Sequence, residues 1–279
     1  MDGGGGTPAF TAAELRTLYL ERGAEIFPPL RPHWRRAGRG IFDERYRQDA
    51  LEEVLEDYMK DARLKDALAP VLVPAYEIEL RQPFFFRSVR ASEDPGPYDF
   101  SVRDAARATS AAPTYFEAAR VASNDTSDPF ALVDGGVFAN NPAMCAFADV
   151  RLRRHEQATP GEEAEAKASP LPPSEMMMVS LGTGELNRRL PWTEAKDWGF
   201  YGWGRQLLGI VMDGVSDAAA FQCRQLLGDR YHRFQTELQA GTDALDDASE
   251  TNLEALDERA KELVATSADD IDKVCELLT

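Results

Sequence analysis

Ala106-Arg-Ala-Thr-Ser-Ala-Ala-Pro-Thr-Tyr-Phe116 and Leu132-Val-Asp-Gly-Gly-Val-Phe-Ala-Asn-Asn-Pro142 are the two stretches that decide how this chain is read. The first closes a predicted helix over 101–109 in small residues and turns at Pro113. The second sets Asp134 at the end of a short apolar strand, 130–133, with Gly135 and Gly136 directly behind it. Glycines at that point let the backbone turn sharply and leave the carboxylate facing an open crevice. An isolated Asp-Gly-Gly is usually only a turn, so its meaning depends on its surroundings.

On the N-terminal side, Thr11 and Glu14 form a capping box that opens a helix, with Phe10 and Leu15 placed as a hydrophobic staple. Leu51, Val54, Leu55, Tyr58 and Met59 predict a second helix over 49–68. Strands over 71–80 and 84–88 flank a turn at Arg81-Gln-Pro83. On the C-terminal side a helix over 141–155 follows. Residues 156–174 are rich in Pro, Glu and Ala without apolar periodicity, and read as an acidic surface insertion. Met176 to Leu181 is a continuous apolar strand of the buried parallel kind. The region from Trp192 to Trp203 reads as a loop before a helix over 204–227, and a last strand runs from Tyr231 to Gln235. Asp247 to Glu250 caps a helix, and residues 266–279 form a C-terminal one. Strands alternating with helices define an α/β class with a mostly parallel sheet.

Composition narrows the partners. A formal net charge of −17 excludes nucleic acid, which needs a cationic surface, and disfavours adhesion to anionic lipid by charge attraction. From Glu237 to Thr279 there are 13 acidic and 3 basic residues, the pattern of a solvated helical face. Cys145, Cys223 and Cys275 have no C-x-x-C spacing and fit free thiols in a reducing compartment. No run approaches the apolar length of a spanning helix, and the first residues lack a basic-then-apolar leader. The expected location is the cytoplasm.

Four motifs occur in a fixed order: A-R-A-T-S-A-A-P-T-Y-F, D-G-G-V-F-A-N-N-P-A, Val179-Ser-Leu-Gly-Thr-Gly184, and Leu245-Asp-Asp-Ala-Ser-Glu-Thr-Asn-Leu253. Over about residues 10–260 the chain resembles the patatin-like phospholipases, lipid acyl hydrolases that cleave acyl esters with a Ser–Asp dyad. The resemblance implies a three-layer α/β fold and makes Asp134, within Asp134-Gly135-Gly136, the general base that activates the serine. A carboxylate can do this without histidine when it lies within hydrogen-bond reach of the hydroxyl in a partly dry site.

The nucleophile is the departure. In that family it stands in G-x-S-x-G, where small neighbours permit the strained turn that exposes the hydroxyl. No G-x-S-x-G occurs in these 279 residues. The family also opens with D-G-G-G-x-R-G, whose amides form the oxyanion hole. Asp2 to Gly6 is either a remnant of that loop, with Gly3, Gly4 and Gly5 as amide donors, or only a flexible start. Ser110 has alanines on both sides but follows a helix rather than a strand. Ser180 follows a strand but has Met178 where a small residue is needed. Neither fits a nucleophile elbow. Gly182-Thr-Gly184 reads as the end of a core strand rather than a phosphate cradle. Arg103, Arg107 and Arg120 read either as ion pairs or as contacts for a phospholipid head group. Phe84 to Phe86 and the tryptophans read as core or as an acyl-chain pocket.

These readings describe residues 1–265 as a truncated patatin-like phospholipase domain whose N-terminal strands are missing. The expected function is phospholipase A-type hydrolysis of lipid or phospholipid acyl esters, with transient contact with a membrane surface. This chain is expected to be inactive for want of the serine. The alternative is a non-catalytic, truncated paralogue that binds lipid or a partner protein. No metal or organic cofactor is implied.

Overall fold

The structure is a computed structural model that describes residues 6–28, 45–125, 128–153, 170–185, 190–238 and 244–278. The chain forms two compact units, one of residues 1–138 with 246–253, the other of residues 139–245 with 254–279.

The first unit begins with helix α1, Ala12–Ile26, and the capping box is formed. Thr11 Oγ1 accepts the Glu14 N–H at 3.2 Å, and Glu14 Oε2 accepts the Thr11 N–H at 2.7 Å. Helix α2, Gln48–Met59, buries Leu51 and Val54. It ends nine residues before the expected boundary of 68. Lys60 takes a positive φ of 46°, and the chain beyond it bonds elsewhere: Leu64 N–H donates to Phe100 O and Ala62 O accepts the Val102 N–H. These long-range bonds, with Leu64 buried, outweigh local helix propensity.

Strands β1, Leu72–Glu77, and β2, Gln82–Arg87, form a hairpin. The turn is residues 78–81 rather than 81–83. The buried Glu77 carboxylate accepts the Glu79 N–H at 3.2 Å and the Leu80 N–H as well. Pro83 lies within β2, an edge strand, where a missing amide is tolerated. Two short helices, α3 (Ser88–Glu93) and α4 (Pro95–Tyr98), lead to α5, Val102–Thr109, whose first turn is capped by Ser101 Oγ on the Asp104 N–H. Strands β3, Ala119–Val121, and β4, Phe130–Asp134, complete a sheet of order β2-β1-β4-β3.

Every pairing in that sheet is antiparallel, which corrects the expectation of a mostly parallel sheet. The links explain much of it. Residues 78–81 join β1 to β2 and 122–129 join β3 to β4, too short for the crossover that parallel neighbours require. One face of the sheet packs Phe84, Phe86 and Phe130 with Phe100, Ala105, Ala108 and Leu132. The four phenylalanine rings stand at centroid distances of 4.9 to 6.2 Å, so Phe84 and Phe86 are core residues. Asp246 ties its own segment to this unit: its Oδ2 accepts from Arg45 Nη1 and from the Tyr46 hydroxyl, both at 2.6 Å.

The second unit contains α7, Ala143–Arg153, which follows the short α6, Gly136–Ala139. It also contains β5, Met178–Leu181, the short α8, Trp192–Ala195, α9, Phe200–Leu227, and β6, Tyr231–Phe234. Helices α10, Glu250–Thr266, and α11, Ala268–Leu278, end the chain. Strands β5 and β6 pair in parallel through a crossover that includes α9. Their core is Ala143, Phe147, Met176, Cys223, Leu227 and Tyr231. β5 is not buried on both faces as expected: Val179 and Leu181 are exposed on one of them. Strand alternation buries Ser180 and leaves Leu181 75% exposed. Helix α9 starts four residues earlier than expected, so Trp203 is helical. Gly199 serves as its N-cap, and Gly202 and Gly204 are accommodated inside it.

Replacing Asp246 by Ala is expected to lower unfolding stability by about 1–3 kcal/mol, since two buried-side hydrogen bonds lose their acceptor. The check is a lower urea midpoint at unchanged slope, with Tyr46→Phe giving a smaller shift in the same direction.

Candidate active site around Asp134

Asp134 is the last residue of β4, pairing with Ala75 of β1. Two backbone contacts fix it there. Its N–H donates to Ala111 O at 3.0 Å, which brings the strand end against the turn that follows α5. The next residue, Gly135, passes so close to β1 that a Cβ would lie 2.4 Å from Pro74 O and 2.6 Å from its carbonyl carbon. Backbone atoms cannot yield as a flexible side chain can, so only glycine fits. The same Pro74 carbonyl accepts the Thr109 hydroxyl at 2.8 Å.

The half-buried carboxylate of Asp134 accepts the Gly136 N–H on Oδ1 at 2.7 Å. Among the described residues no cation pairs with it and Oδ2 has no hydrogen-bond donor. Burial pushes its pKa up from the ordinary carboxylate value, against the smaller opposing effect of the Gly136 amide. A carboxylate held on one oxygen, with raised basicity and a second oxygen unengaged, is equipped to accept a proton.

Ser110 is the C-cap of α5, at φ −96° and ψ 0°, with its N–H bonded to Ala106 O. The Asp134–Ala111 bond brings the two segments together in backbone terms. Among the described residues, however, Ser110 and Asp134 share no hydrogen bond. Backbone strain in this run sits instead at Thr114, a β-branched residue at φ 74°. The buried Ser180 accepts from Arg233 Nη1 at 2.8 Å, which ties β5 to β6. Gly184 N–H is consumed by Gln235 Oε1 at 2.9 Å, so Gly182-Thr-Gly184 is a strand end and offers no anion cradle.

Gly3, Gly4 and Gly5 lie outside the described residues, as do most of the insertion at 156–174 and the histidines His33 and His155. Two of the three arginines form ion pairs, Arg103 with Glu56 and the buried Arg107 with Glu52 at 3.2 Å, and Arg107 also donates to Gln48 Oε1 and Glu117 O. Asn141 Oδ1 accepts the Ala143 N–H where α7 begins. Sequence reading missed two residues that shape the first unit. Thr109 holds β1 beside the site, and Asp246 anchors the 246–253 segment. Both lie inside stretches whose motif membership was visible, but their partners are 35 and 201 residues away.

The site is thus a half-buried carboxylate at a strand end, followed by a glycine pressed on the neighbouring strand. The family model of patatin-like phospholipases matches residues 4–147, more than half of the chain. The chain therefore belongs to the patatin-like phospholipase family. Among curated relatives it is 28% identical over 281 residues to Patatin-like protein 3 of Arabidopsis thaliana, covering 92% of this chain and 64% of that protein. It is 29% identical over 273 residues to Patatin-like protein 1 of Oryza sativa subsp. indica, covering 90% of this chain and 64% of the relative. It is 31% identical over 237 residues to Probable inactive patatin-like protein 9 of Arabidopsis thaliana, covering 82% and 56%. The chain thus spans a little under two thirds of the length of these relatives.

Gly135→Ala is expected to destabilise the fold by about 1–3 kcal/mol, because β1 and β4 must part to admit the methyl group. Asp134→Asn is expected to do the opposite near neutral pH. With its folded pKa raised, the carboxyl keeps a proton that the unfolded chain has lost, so its favourable state is present in acid and disappears as pH rises through the folded value. The amide preserves the Gly136 bond without the buried charge. Its urea midpoint should exceed that of the wild type at about pH 7 and match it at about pH 3.

Proposed function

We propose that Asp134 is the general base of a lipid acyl hydrolase site and that this 279-residue polypeptide lacks the serine it would activate. In the complete reaction Asp134 takes the serine proton as Oγ attacks the acyl carbonyl, and the proton then passes to the leaving alcohol. Backbone amides stabilise the oxyanion. The substrates are lipid or phospholipid acyl esters, and the reaction is phospholipase A-type hydrolysis.

The observation that supports this reading is the state of Asp134: half-buried, raised in pKa, unpaired by any cation among the described residues, and held on one oxygen only. We assign the nucleophile and the strands that bear it to a segment outside these residues. The absence of G-x-S-x-G and the exposure of Val179 and Leu181 on β5 support that assignment. Residues 1–265 then form the truncated domain and 266–279 a C-terminal helix. The three free cysteines support a reducing, cytoplasmic setting. A second reading, a non-catalytic paralogue that binds lipid, draws on the exposed aromatic side chains of α9.

The polypeptide is expected to leave short-chain nitrophenyl esters unhydrolysed, at a rate about 10⁴- to 10⁶-fold below that of a complete catalytic unit. It is also expected to resist a fluorophosphonate probe. Stoichiometric labelling of one serine would overturn the proposal, and mapping it to Ser110 would identify the substitute. Labelling that requires an added G-x-S-x-G segment and is lost in Asp134→Asn would establish the base.

A further inference from the structure

Helix α9 is apolar on two opposite sides. Ala219, Cys223 and Leu227 are buried on one of them, the last two within the core of the second unit. Phe200, Trp203, Leu207, Ile210 and Val211 are exposed on the other, Phe200 by 97%. Their spacing of three, four, three and one residues places them along one stripe, and the exposed Gly214, Ala218 and Phe221 continue it. Trp192, on α8 just before this helix, is 75% exposed. A second apolar stripe on a helix whose other apolar side already packs in the core calls for a partner of its own.

Charge selects what covers this one. Between Trp198 and Met212 there is no acidic residue and a single basic one, Arg205, in a chain that holds 48 acidic residues. The stripe is thus a neutral window in an acidic protein. A second copy would bring another formal charge of −17 against the first, and an anionic bilayer would repel the chain similarly. An uncharged lipid surface does neither. It also suits the side chains present, because tryptophan and phenylalanine settle at the boundary between acyl chains and head groups.

We propose that the stripe Phe200–Trp203–Leu207–Ile210–Val211 seats this chain on an electrically neutral lipid surface, with α9 lying in the plane of the interface. The proposal is independent of whether Asp134 acts as a base, and its test reads binding rather than hydrolysis.

The full chain is sedimented with sucrose-loaded vesicles of phosphatidylcholine, and with vesicles in which about a third of that lipid is phosphatidylserine. Binding is expected on the neutral vesicles and at least about tenfold weaker on the anionic ones, with part of the difference recovered in high salt as charge is screened. Trp203→Glu is expected to abolish binding at unchanged circular dichroism. Phe200→Ser, at the most exposed position of the stripe, gives a second reading should the first variant fold poorly. Binding that rises with phosphatidylserine content would overturn the neutral surface. Equal binding by wild type and both variants would overturn the stripe. An absence of binding overturns the proposal in either state of the chain: a dimer dispersed by Phe200→Ser assigns the stripe to a second copy, and a monomer leaves it without a lipid role.

Discussion

The approach of Gly135 to the backbone of Pro74 is the constraint on which the Asp134 site depends. It lets the end of β4 press against β1 at a distance that any side chain would forbid. Once the strands are that close, Asp134 N–H reaches Ala111 O, and the Thr109 hydroxyl reaches Pro74 O. The direction of the carboxylate is therefore set by main-chain atoms and one hydroxyl, while its own hydrogen bond comes from the Gly136 amide. A carboxylate held this way needs no cation for its placement. A cation would fix it equally well but would lower its affinity for a proton.

Three aspartates of the first unit make the contrast plain. Asp99 is almost fully buried, with Arg63 at 3.0 Å and Lys65 at 3.6 Å. Asp246 has Arg45 and the Tyr46 hydroxyl. Both are ordinary structural carboxylates in which desolvation is offset by a partner of opposite charge. Asp134 has one amide and a pKa raised by burial, so its charged form works against the stability of the fold. Perturbed, unpaired ionisable groups of this kind gather where chemistry is done. That contrast, more than the Asp-Gly-Gly triplet itself, marks Asp134 out.

Features that depend on neighbours in the chain were legible in the sequence. The Thr11–Glu14 box, the strand at 130–133 and the last strand from Tyr231 follow from local chemistry. What was not legible depends on distant atoms. Helix α2 stops at Met59 because the segment after Lys60 bonds to Phe100 and Val102, which no local pattern announces. The antiparallel sheet was hidden because alternation of strands and helices was read as a crossover pattern, whereas the short links at 78–81 and 122–129 impose hairpins. The early start of α9 was hidden because the Trp192–Trp203 stretch reads as a loop, and Gly202 and Gly204 lower the local helix propensity without breaking the helix. In the site, the strand-end position of Asp134 was legible but its freedom from ion pairs among the described residues was not.

Ser110 illustrates why proximity alone makes no dyad. A nucleophile elbow stores strain at the serine itself, so that the hydroxyl is driven out of its own backbone's reach. Here Ser110 sits at φ −96° and ψ 0°, an unstrained helix end, and the positive φ of the run falls four residues later at Thr114. The backbone of the 106–116 stretch is thus shaped to receive Asp134 through Ala111 O and to turn sharply at Thr114. It presents no hydroxyl to the carboxylate. The same stretch that positions Asp134 therefore carries its backbone strain at Thr114 and not at a serine.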